Sequence, residues 1–439
     1  AEILDRARIT KRKVANPRGP RAFRITPPDE AIDSLHSTLV DTWGELPVVL
    51  DPMAGGGSIP LEALRLRLPV LANEYNPVAS VILSATLQMA AKYGTRLLER
   101  TDYWKDKLLS RVIPQIRDCY NGNEMPDWCY LWARTVKPSD DEPPSPLAPN
   151  WWLIKKDDGK RGVVTEPYVI DAEKGLWSVR IKAVAPKGGD MTKPPAATIT
   201  RGQGRSLFPP YRDIPGDRIK AEAQAGRMGE ELYCVATKAP GLTFRPANDR
   251  DRAAFLRACD KLESVRAEWE REGFLPTENV LEGNKTREPL NYGMDTWQKL
   301  FNPRQLYVLG VIVKELHDVR PEMEAREGVE LAAAIETLLA FGVDKAANYN
   351  ARMTRWHSGD SVVAGVFDRH DYSMKWSYCE MAMAVAGGGL QWCFNSVIEA
   401  YKGLCELMPV CDQAAGVHYG SATSLPQIAD GSVHAVVVD

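Results

Sequence analysis

Apolar and polar positions near residue 50 alternate in a way that predicts strands and helices in turn. The apolar run Pro47–Leu50 predicts a short buried strand, and Gly55–Gly57 predict a tight turn that a ligand can approach closely. Ser58 can cap a helix with leucines along one face. A second apolar run, Pro69–Ala72, leads to the acidic residue Glu74. This order of strand, glycine-rich turn, helix, strand and acid is half of a doubly wound nucleotide-binding fold.

A similar pattern returns at the C-terminal end of the sequence. Val417–Tyr419 predicts a strand, and Gly431–Asp439 predicts a buried strand that ends in an acid. After the second strand, Asn76 can cap a long helix that begins at Pro77. We therefore predict one α/β sheet that opens before residue 100 and resumes near residue 417, with a large insertion between the two parts.

The predicted insertion is β-rich at first and helical later. Trp177–Ala183 alternates apolar and polar residues, as a half-buried strand does, and Leu232–Ala236 predicts another strand. Asn248 and Asn302 can each cap a helix, and the aromatic run Asp368–Met383 is predicted to be helical. The predicted segments are 1–118 for the first part of the sheet domain, 119–245 for the β-rich insertion, 246–412 for the helical insertion and 413–439 for the return to the sheet.

Composition narrows the class of protein without naming an activity. The 439 residues are enough for two or three domains, and no apolar run approaches the roughly 20 residues of a membrane span. A net charge of −3 means that nucleic-acid binding would need a local basic face. The basic segment Ala1–Arg24 lacks the apolar core of a signal peptide, and could either contact phosphates or form a solvated arm. The eight cysteines include no C-x-x-C pair, which favours free thiols in a reducing cytoplasm.

The loop after the first predicted strand indicates which nucleotide would bind. Glu74 follows the glycines by about 20 residues, where a carboxylate can accept hydrogen bonds from ribose hydroxyls. The glycines do not fit G-x-G-x-x-G, which disfavours a dinucleotide, and no Lys-Ser/Thr pair follows them, which removes a P-loop. Asp51-Pro52-x-Ala-Gly-x-Gly with Glu74-x-Asn76-Pro77 resembles motif I and the following acidic motif of S-adenosylmethionine-dependent methyltransferases. A structural glycine-rich turn and a dinucleotide enzyme remain open alternatives.

This resemblance implies a class I, Rossmann-like methyltransferase sheet with S-adenosylmethionine as its cofactor. In such enzymes the glycines let the backbone lie against the methionine part of the cofactor, and Glu74 would hold the ribose. The cofactor-binding residues that the resemblance implies are Asp51, Pro52, Met53, Ala54, Gly55, Gly57, Glu74, Tyr75, Asn76, Ser421 and Ala422.

Several widely spaced segments together resemble one family, the prokaryotic adenine-specific DNA methylases described as containing a Zn-ribbon, which are often found beside phage-defence genes. They cover most of the chain in the expected order, and Gly293-Met-x-x-Trp297…Phe301-x-x-Arg304-Gln-Leu306 is more specific than motif I alone. The segments are DPMAGGGSIPLEALRL, NEYNPVA, YLWARTVK, PNWWLIKK, AGRMGEELYCV, LNYGMDTWQKLFNPRQL, NYNARMTRWH, FDRHDYSMKW and GSATSLP…GSVHAVVVD.

The sequence departs from that family at three places. The Zn-ribbon cysteines expected after Lys137 and near Gly202 are missing from it, so we predict no metal site and interpret 119–245 as a degenerate Zn-ribbon-like region. Ser421 stands where such enzymes often have an aspartate that binds the adenine ring of the cofactor. The family would continue from Asp439 as Asp-Pro-Pro-Tyr, so we expect the sequence to be part of a longer protein.

The activity implied by the resemblance is methyl transfer from S-adenosylmethionine to N6 of adenine in duplex DNA, in restriction–modification or phage defence. Asp439 would be the catalytic side chain that accepts a hydrogen bond from the amine of a flipped-out base. The implied partners are duplex DNA and other subunits of a defence system in the cytoplasm, with no membrane. Candidate DNA contacts in the insertion are Trp151, Trp152, Lys155, Lys156, Arg201, Arg205, Arg304, Arg355 and Trp356. Core packing is the favoured alternative for most of these aromatics, and a structural ion pair is an equal alternative for Arg304.

Two other functions stay open at this point. An RNA guanine-N2 methyltransferase has a similar motif I, although it would need an RNA-binding module that residues 1–46 do not suggest. A non-catalytic subunit that binds S-adenosylmethionine within a defence complex would keep the fold without the chemistry. The sequence also does not separate adenine N6 from cytosine N4 as the target.

Overall fold

The computed structural model describes residues 25, 27–120, 127–238, 241–368, 372–408 and 415–439, so the predicted basic segment Ala1–Arg24 lies outside the described residues. The chain is mixed α/β, 45% helical and 22% strand. The α-helices are α1 (Asp29–Trp43), α2 (Ser58–Arg65), α3 (Pro77–Leu83), α4 (Ala90–Ile116), α5 (Gly216–Gln224), α6 (Asp249–Glu272), α7 (Arg287–Asn291), α8 (Pro303–Glu327), α9 (Val329–Tyr349) and α10 (Gly389–Leu407). A π-helical segment, Ser84–Met89, joins α3 to α4.

The strands differ widely in length, and the longest is the 11-residue β6. They are β1 (Val49–Asp51), β2 (Val70–Glu74), β3 (Asp127–Val136), β4 (Ser145–Leu147), β5 (Trp152–Lys156), β6 (Arg161–Asp171), β7 (Leu176–Val184), β8 (Ile199–Thr200), β9 (Gln203–Arg205), β10 (Asp213–Ile214), β11 (Gly229–Thr237), β12 (Thr243–Pro246), β13 (Arg355–His357), β14 (Val362–Ala364), β15 (Ser377–Met381), β16 (Ala415–Tyr419) and β17 (Ala435–Val436).

The chain divides into two compact units. Unit 1 contains the described residues of Ala1–Tyr103, Glu327–Leu338 and Val397–Asp439. Unit 2 contains those of Trp104–Arg326 and Leu339–Ser396. The four segments predicted from the sequence stay predictions, because they were defined by pattern and resemblance rather than by packing.

Unit 1 is built on a parallel sheet whose strands come from both ends of the sequence. The strand order is β16-β2-β1-β17, and every neighbouring pair is parallel. Leu50 in the central strand pairs with Leu71 on one side and with Val436 on the other. The prediction of one sheet that opens before residue 100 and resumes near residue 417 is confirmed.

Two local predictions in unit 1 are corrected by the structure. Ser58 is not the cap of α2, because the helix begins at Ser58 and Gly57 holds the cap position with a φ of 82° and no capping side chain. The predicted buried strand Gly431–Asp439 is only Ala435–Val436, and the side chains of 436–439 are exposed. The apolar pattern predicts burial, but a strand is buried only when it has neighbours on both sides, and among the described residues only β1 pairs with β17.

Three asparagines cap helices at the positions that the sequence predicts. The Asn76 side chain accepts hydrogen bonds from the N–H groups of Val78 and Ala79, at 3.0 and 3.4 Å. Asn248 begins α6 with a complete capping box. Asn302 caps α8, because its Oδ1 accepts from the Gln305 N–H at 2.9 Å, while Gln305 Oε1 accepts from the Asn302 N–H at the same distance. All three predicted caps are confirmed.

Unit 2 is organised around antiparallel sheets. The largest has the order β12-β11-β3-β15, with β4 also paired to β3. The predicted strands Trp177–Ala183 and Leu232–Ala236 are confirmed as parts of β7 and β11. The predicted helix Asp368–Met383 is wrong, because Ser377–Met381 forms β15 on β3 and four of its five side chains are buried. Pairing with a strand distant in sequence overrides the local pattern there.

A fully buried ion pair joins α8 to β15 in the core of unit 2. Arg304 donates from Nε and Nη2 to the two carboxylate oxygens of Glu380, at 2.7 and 2.8 Å, and neither side chain is exposed. Glu380 also accepts from the Trp132 indole at 2.9 Å, and the Arg304 guanidinium lies 4.3 Å from the Tyr130 ring centroid. Both charges are therefore hydrogen-bonded as well as paired, which burial of charge requires.

A second buried carboxylate, Glu230, continues this polar network. It accepts from Arg352 at 2.6 and 2.9 Å, from Arg134 at 3.3 Å and from the Tyr378 hydroxyl at 2.9 Å. Burial acts to raise the pKa of Glu230, but the charges of Arg352 and Arg134 hold it below the usual value. The core of unit 2 thus depends on charges that must be paired together.

Replacing Arg304 with methionine should destabilise unit 2 by about 3–5 kcal/mol, because Glu380 would remain as an unpaired buried charge. The measurement is urea unfolding followed by tryptophan fluorescence, which reports unit 2 because every tryptophan except Trp43 lies there.

The matched control is Arg355→Met. Arg355 pairs with Asp368, but both side chains are partly exposed, so the loss should be at most about 1 kcal/mol. Equal losses in the two variants would contradict a special role for the buried pair.

Candidate nucleotide-binding site

Four neighbouring strands bring the predicted site residues to one edge of the parallel sheet. Asp51 ends β1, Glu74 ends β2, Ser421 follows β16 and Asp439 follows β17. Because the strands are parallel, their carboxyl ends meet at the same edge. In open α/β sheets ligands bind outside this edge, at the point where the strand order reverses. Here the order reverses at β1, with β2 on one side and β17 on the other.

The loop from Asp51 to Gly57 leaves open space in front of its backbone. Asp51 Oδ1 accepts a hydrogen bond from the Met53 N–H at 3.2 Å, and the Gly57 N–H donates to the Ala54 carbonyl at 2.7 Å. A Cβ atom built on Gly55 or Gly56 would have no atom within 4 Å. The turn is therefore closed by its own hydrogen bonds while its outer surface remains accessible.

Gly57 has the opposite surroundings. Its φ of 82° is in the left-handed region, and a Cβ there would lie 2.6 Å from Leu83 Cδ2. A side chain at this position would both strain the backbone and clash with α3. Gly57 thus allows the loop to pass directly into α2.

Glu74 is held by the loop that it faces. Its Oε2 accepts from the Gly55 N–H at 2.7 Å, and its Oε1 accepts from the Asn76 N–H at 2.8 Å. The bond from Asn76 is the largest cause that lowers the pKa of Glu74, with Gly55 and Tyr75 adding to it against the effect of burial. Each oxygen of the ionised carboxylate keeps a lone pair, which can accept from a ribose hydroxyl.

Asp51 has the opposite electrostatic setting. Burial raises the pKa of its carboxyl group, and the negative charges of Asp439 and Glu74 raise it further, while the Met53 N–H opposes them. The charges of Asp439 and Glu74 therefore both act on Asp51, so negative charge is concentrated at this edge.

The remaining predicted residues vary in exposure. The Tyr75 side chain is 73% exposed, Met53 is exposed, Ala54 is buried and Pro52 is half-buried. Ser421 is half-buried, and its hydroxyl is within hydrogen-bond distance of the Thr423 hydroxyl at 2.9 Å, which closes a local turn. The exposed members of the predicted set are Met53, Gly55, Tyr75, Asn76, Ala422 and Asp439.

Asn73 was not singled out from the sequence, although it ties the site together. The side chain is fully buried in β2, and its Nδ2 donates to the carbonyls of Pro52 at 3.1 Å and Gly420 at 2.9 Å. Its Oδ1 accepts from the Gln427 amide at 3.3 Å. A polar residue inside an otherwise apolar strand was the available signal. Asn73 is a positioning residue that joins the loops after β1 and β16.

The candidate DNA contacts of the insertion differ in accessibility. Arg304 and Trp151 are buried, so neither is a surface contact, and Arg355 is paired with Asp368. The Trp356 indole donates to the Leu153 carbonyl at 2.7 Å. The exposed members of the predicted set are Lys155, Lys156, Arg201 and Arg205.

Similarity to known proteins does not assign a function to this site. No protein-family model matches the chain, and no match to it was found among curated proteins or solved structures. In the described part of the chain, no three histidine, cysteine or acidic side chains are grouped so that they could hold a metal ion. None of the described helices combines the length and the apolar character that crossing a bilayer requires.

Replacing Asn73 with alanine should cost about 1–3 kcal/mol, because the half-buried carbonyls of Pro52 and Gly420 would each lose a hydrogen-bond donor. Hydrogen exchange measured by mass spectrometry should quicken in peptides that contain the loops after β1 and β16. Gln427→Ala removes only the longest of these bonds and should have a smaller effect, so a larger effect of Gln427→Ala would contradict the positioning role.

Asp51→Asn should stabilise unit 1 at pH 7. The pKa of Asp51 is raised in the folded state, so ionisation of this acid lowers the free energy of unfolding as the pH rises, and asparagine does not ionise. The gain should disappear as the pH falls below the ordinary value of 3.8. Glu74→Gln should have the opposite sign: a loss at pH 7 that disappears well below 4.5, because the pKa of Glu74 is lowered. Urea equilibration at each pH, followed by pulsed hydrogen exchange of β1 and β2 peptides, measures the change in unfolding free energy for both variants. A change of the same sign in the two variants would contradict the opposite pKa shifts of Asp51 and Glu74.

Proposed function

We propose that the protein is an S-adenosylmethionine-dependent methyltransferase that acts on N6 of adenine in duplex DNA, as in the family that its sequence resembles. The observation that carries the proposal is the convergence of Asp51, Glu74 and Asp439 on one glycine-rich turn. The order β16-β2-β1-β17 supports it, because numbered along the chain these strands are 3-2-1-4, the first part of a doubly wound order.

The charge of the site favours S-adenosylmethionine over a dinucleotide. Carboxylates at positions 51, 74 and 439 create negative potential beside the turn. The phosphates of a dinucleotide would be repelled there, whereas the sulfonium and ammonium groups of S-adenosylmethionine would be attracted. The open space at Gly55 and Gly56 and the free lone pairs of Glu74 fit the methionine part and the ribose of this cofactor.

The reaction would depend mainly on positioning. An exocyclic amine is a weak nucleophile because its lone pair is delocalised into the ring. Asp439 would accept a hydrogen bond from this amine and orient its nitrogen, after the base has left the duplex. The bound cofactor supplies the electrophilic methyl group. Glu74 would fix the ribose, and the Asp51 loop would fix the methionine part.

The decisive experiment is transfer of labelled methyl from S-adenosylmethionine to duplex DNA, with product nucleosides identified by mass. We expect labelled N6-methyladenine from the wild-type chain and a loss of at least about a hundredfold in Asp439→Ala. Asp41→Ala, an exposed acid in the last turn of α1, is the matched control and should keep full activity.

Cofactor binding separates the two acidic roles. Calorimetry should show that Glu74→Ala weakens the binding of S-adenosylmethionine by about tenfold or more, because the charge-assisted hydrogen bonds to the ribose hydroxyls are lost. Asp439→Ala should weaken this affinity less than Glu74→Ala does, because it removes one of the three negative charges but no proposed hydrogen bond to the cofactor. Label in N2-methylguanine of RNA would instead support the RNA alternative, and cofactor binding without transfer to DNA or RNA would support a non-catalytic subunit. A chain that binds no S-adenosylmethionine would overturn the proposal.

A further inference from the structure

A pocket in unit 2 combines aromatic walls with a lysine. Trp128, Tyr349 and Trp392 line it together with Lys238, and its volume is about 400 Å³. Small-molecule sites commonly enclose about 300–1,000 Å³ and have mostly apolar walls with a few polar groups. The pocket therefore has the size and the character of a binding site.

The aromatic rings are held in place by perpendicular neighbours. Tyr349 and Trp392 meet edge to face, with centroids 5.0 Å apart and an interplanar angle of 87°. Trp128 meets Trp356 in the same way at 5.6 Å and 75°. Trp392 is nevertheless 36% exposed, so part of its surface is accessible to a ligand. Rings fixed in this manner lose little conformational freedom when a flat ligand stacks on them.

The charges at the pocket are positive. The Lys238 ammonium lies 4.5 Å from the Trp128 ring centroid, and the Lys345 ammonium lies 4.4 Å from that of Trp392. None of the described residues that line the pocket is acidic. A cationic ligand would be repelled. A flat aromatic ligand with a negative charge would be attracted twice, because the lysines attract both its ring and its charge.

The glycines before α10 keep the mouth of the pocket open. Gly387 and Gly388 both line it. A Cβ on Gly387 would have no atom within 4 Å, and one on Gly388 would touch only Val385, at 3.9 Å. A ligand backbone can therefore approach this segment closely.

We propose that this pocket binds one unstacked nucleobase together with its phosphate. Bases of any sequence present a flat face for stacking, and the ammonium groups of Lys238 and Lys345, which lie over the Trp128 and Trp392 rings, supply positive charge for a phosphate. A free nucleotide carries the same chemistry as a nucleotide within an opened strand. The inference rests on the proposed function for its context, because an enzyme that flips a base leaves unpaired nucleotides behind.

The test is the affinity of the full chain for a fluorescent single-stranded 12-nucleotide DNA, measured by anisotropy without S-adenosylmethionine. Trp392→Ala should weaken binding by about tenfold or more, and Trp392→Phe should retain most of it, because a stacking face remains. Gly388→Leu should weaken binding equally by filling the mouth, since its backbone is not in the left-handed region and its Cβ meets no close contact.

Salt dependence tests the lysine. Lys238→Gln should reduce the slope of log affinity against log salt by about 0.7, the value for one phosphate contact on a single strand. Lys285→Gln, at an exposed position outside the pocket, is the matched control and should leave the slope unchanged.

Two further ligands identify what is bound. An abasic strand should bind more weakly than the normal strand in the wild-type chain but not in Trp392→Ala. Competition by free dAMP that depends on Trp392 would assign the site to free nucleotides, and its failure would assign it to strands. The proposed nucleotide pocket would be overturned if Trp392→Ala and Gly388→Leu both kept the affinity of the wild-type chain. It would also be overturned if the wild-type chain bound the abasic strand as tightly as the normal strand.

The result is separable from the proposed function. Absence of methyl transfer together with Trp392-dependent binding would reject the methyltransferase and keep the pocket. Methyl transfer without Trp392-dependent binding would reject only the pocket.

Discussion

The parallel pairing of β1 with both β2 and β17 is the constraint on which the candidate site depends. It brings residues 51, 74 and 439 to one edge although they are far apart in sequence. Parallel neighbours cannot be joined by a tight turn and need a long crossover. The connection from β2 to β16 includes all of unit 2, and loop-closure entropy grows only slowly with length. A long crossover can therefore hold a whole folded unit.

Polar groups are placed differently in the two units. In unit 2 the buried charges are neutralised by partners, as Arg304 is by Glu380. In unit 1 Asp51 lies beside other carboxylates, an arrangement that burial and like charge both disfavour. Acidic groups with a raised pKa are common at functional sites, where burial and like charges are arranged to serve binding or catalysis. This contrast favours the sheet edge of unit 1 over the buried polar network of unit 2 as the functional site.

Sequence patterns identified features that depend on neighbouring residues. The Asn76, Asn248 and Asn302 caps follow from side chains that bond to the next turn of the chain. Arg304 left two interpretations open, since its partner Glu380 is 76 residues away. β15 was mistaken for a helix for the same reason: its pairing with β3 is long-range. The glycine-rich turn, Asp51 and Glu74 could be predicted because strand, turn and acid follow one another closely in sequence. The contacts of Asn73 could not be predicted, because they form only in the folded sheet.

The three glycines of the turn have unequal evolutionary freedom. Gly57 combines a left-handed backbone with a side-chain position already filled by Leu83, so nearly any replacement there is penalised twice. The fold places neither restriction on Gly56, because its backbone is not left-handed and the space beside it is open. A restriction on position 56 would come only from a ligand, since a side chain there would enter the space proposed for the cofactor. A run of identical letters thus conceals one position fixed by the fold and one that a bound cofactor would fix.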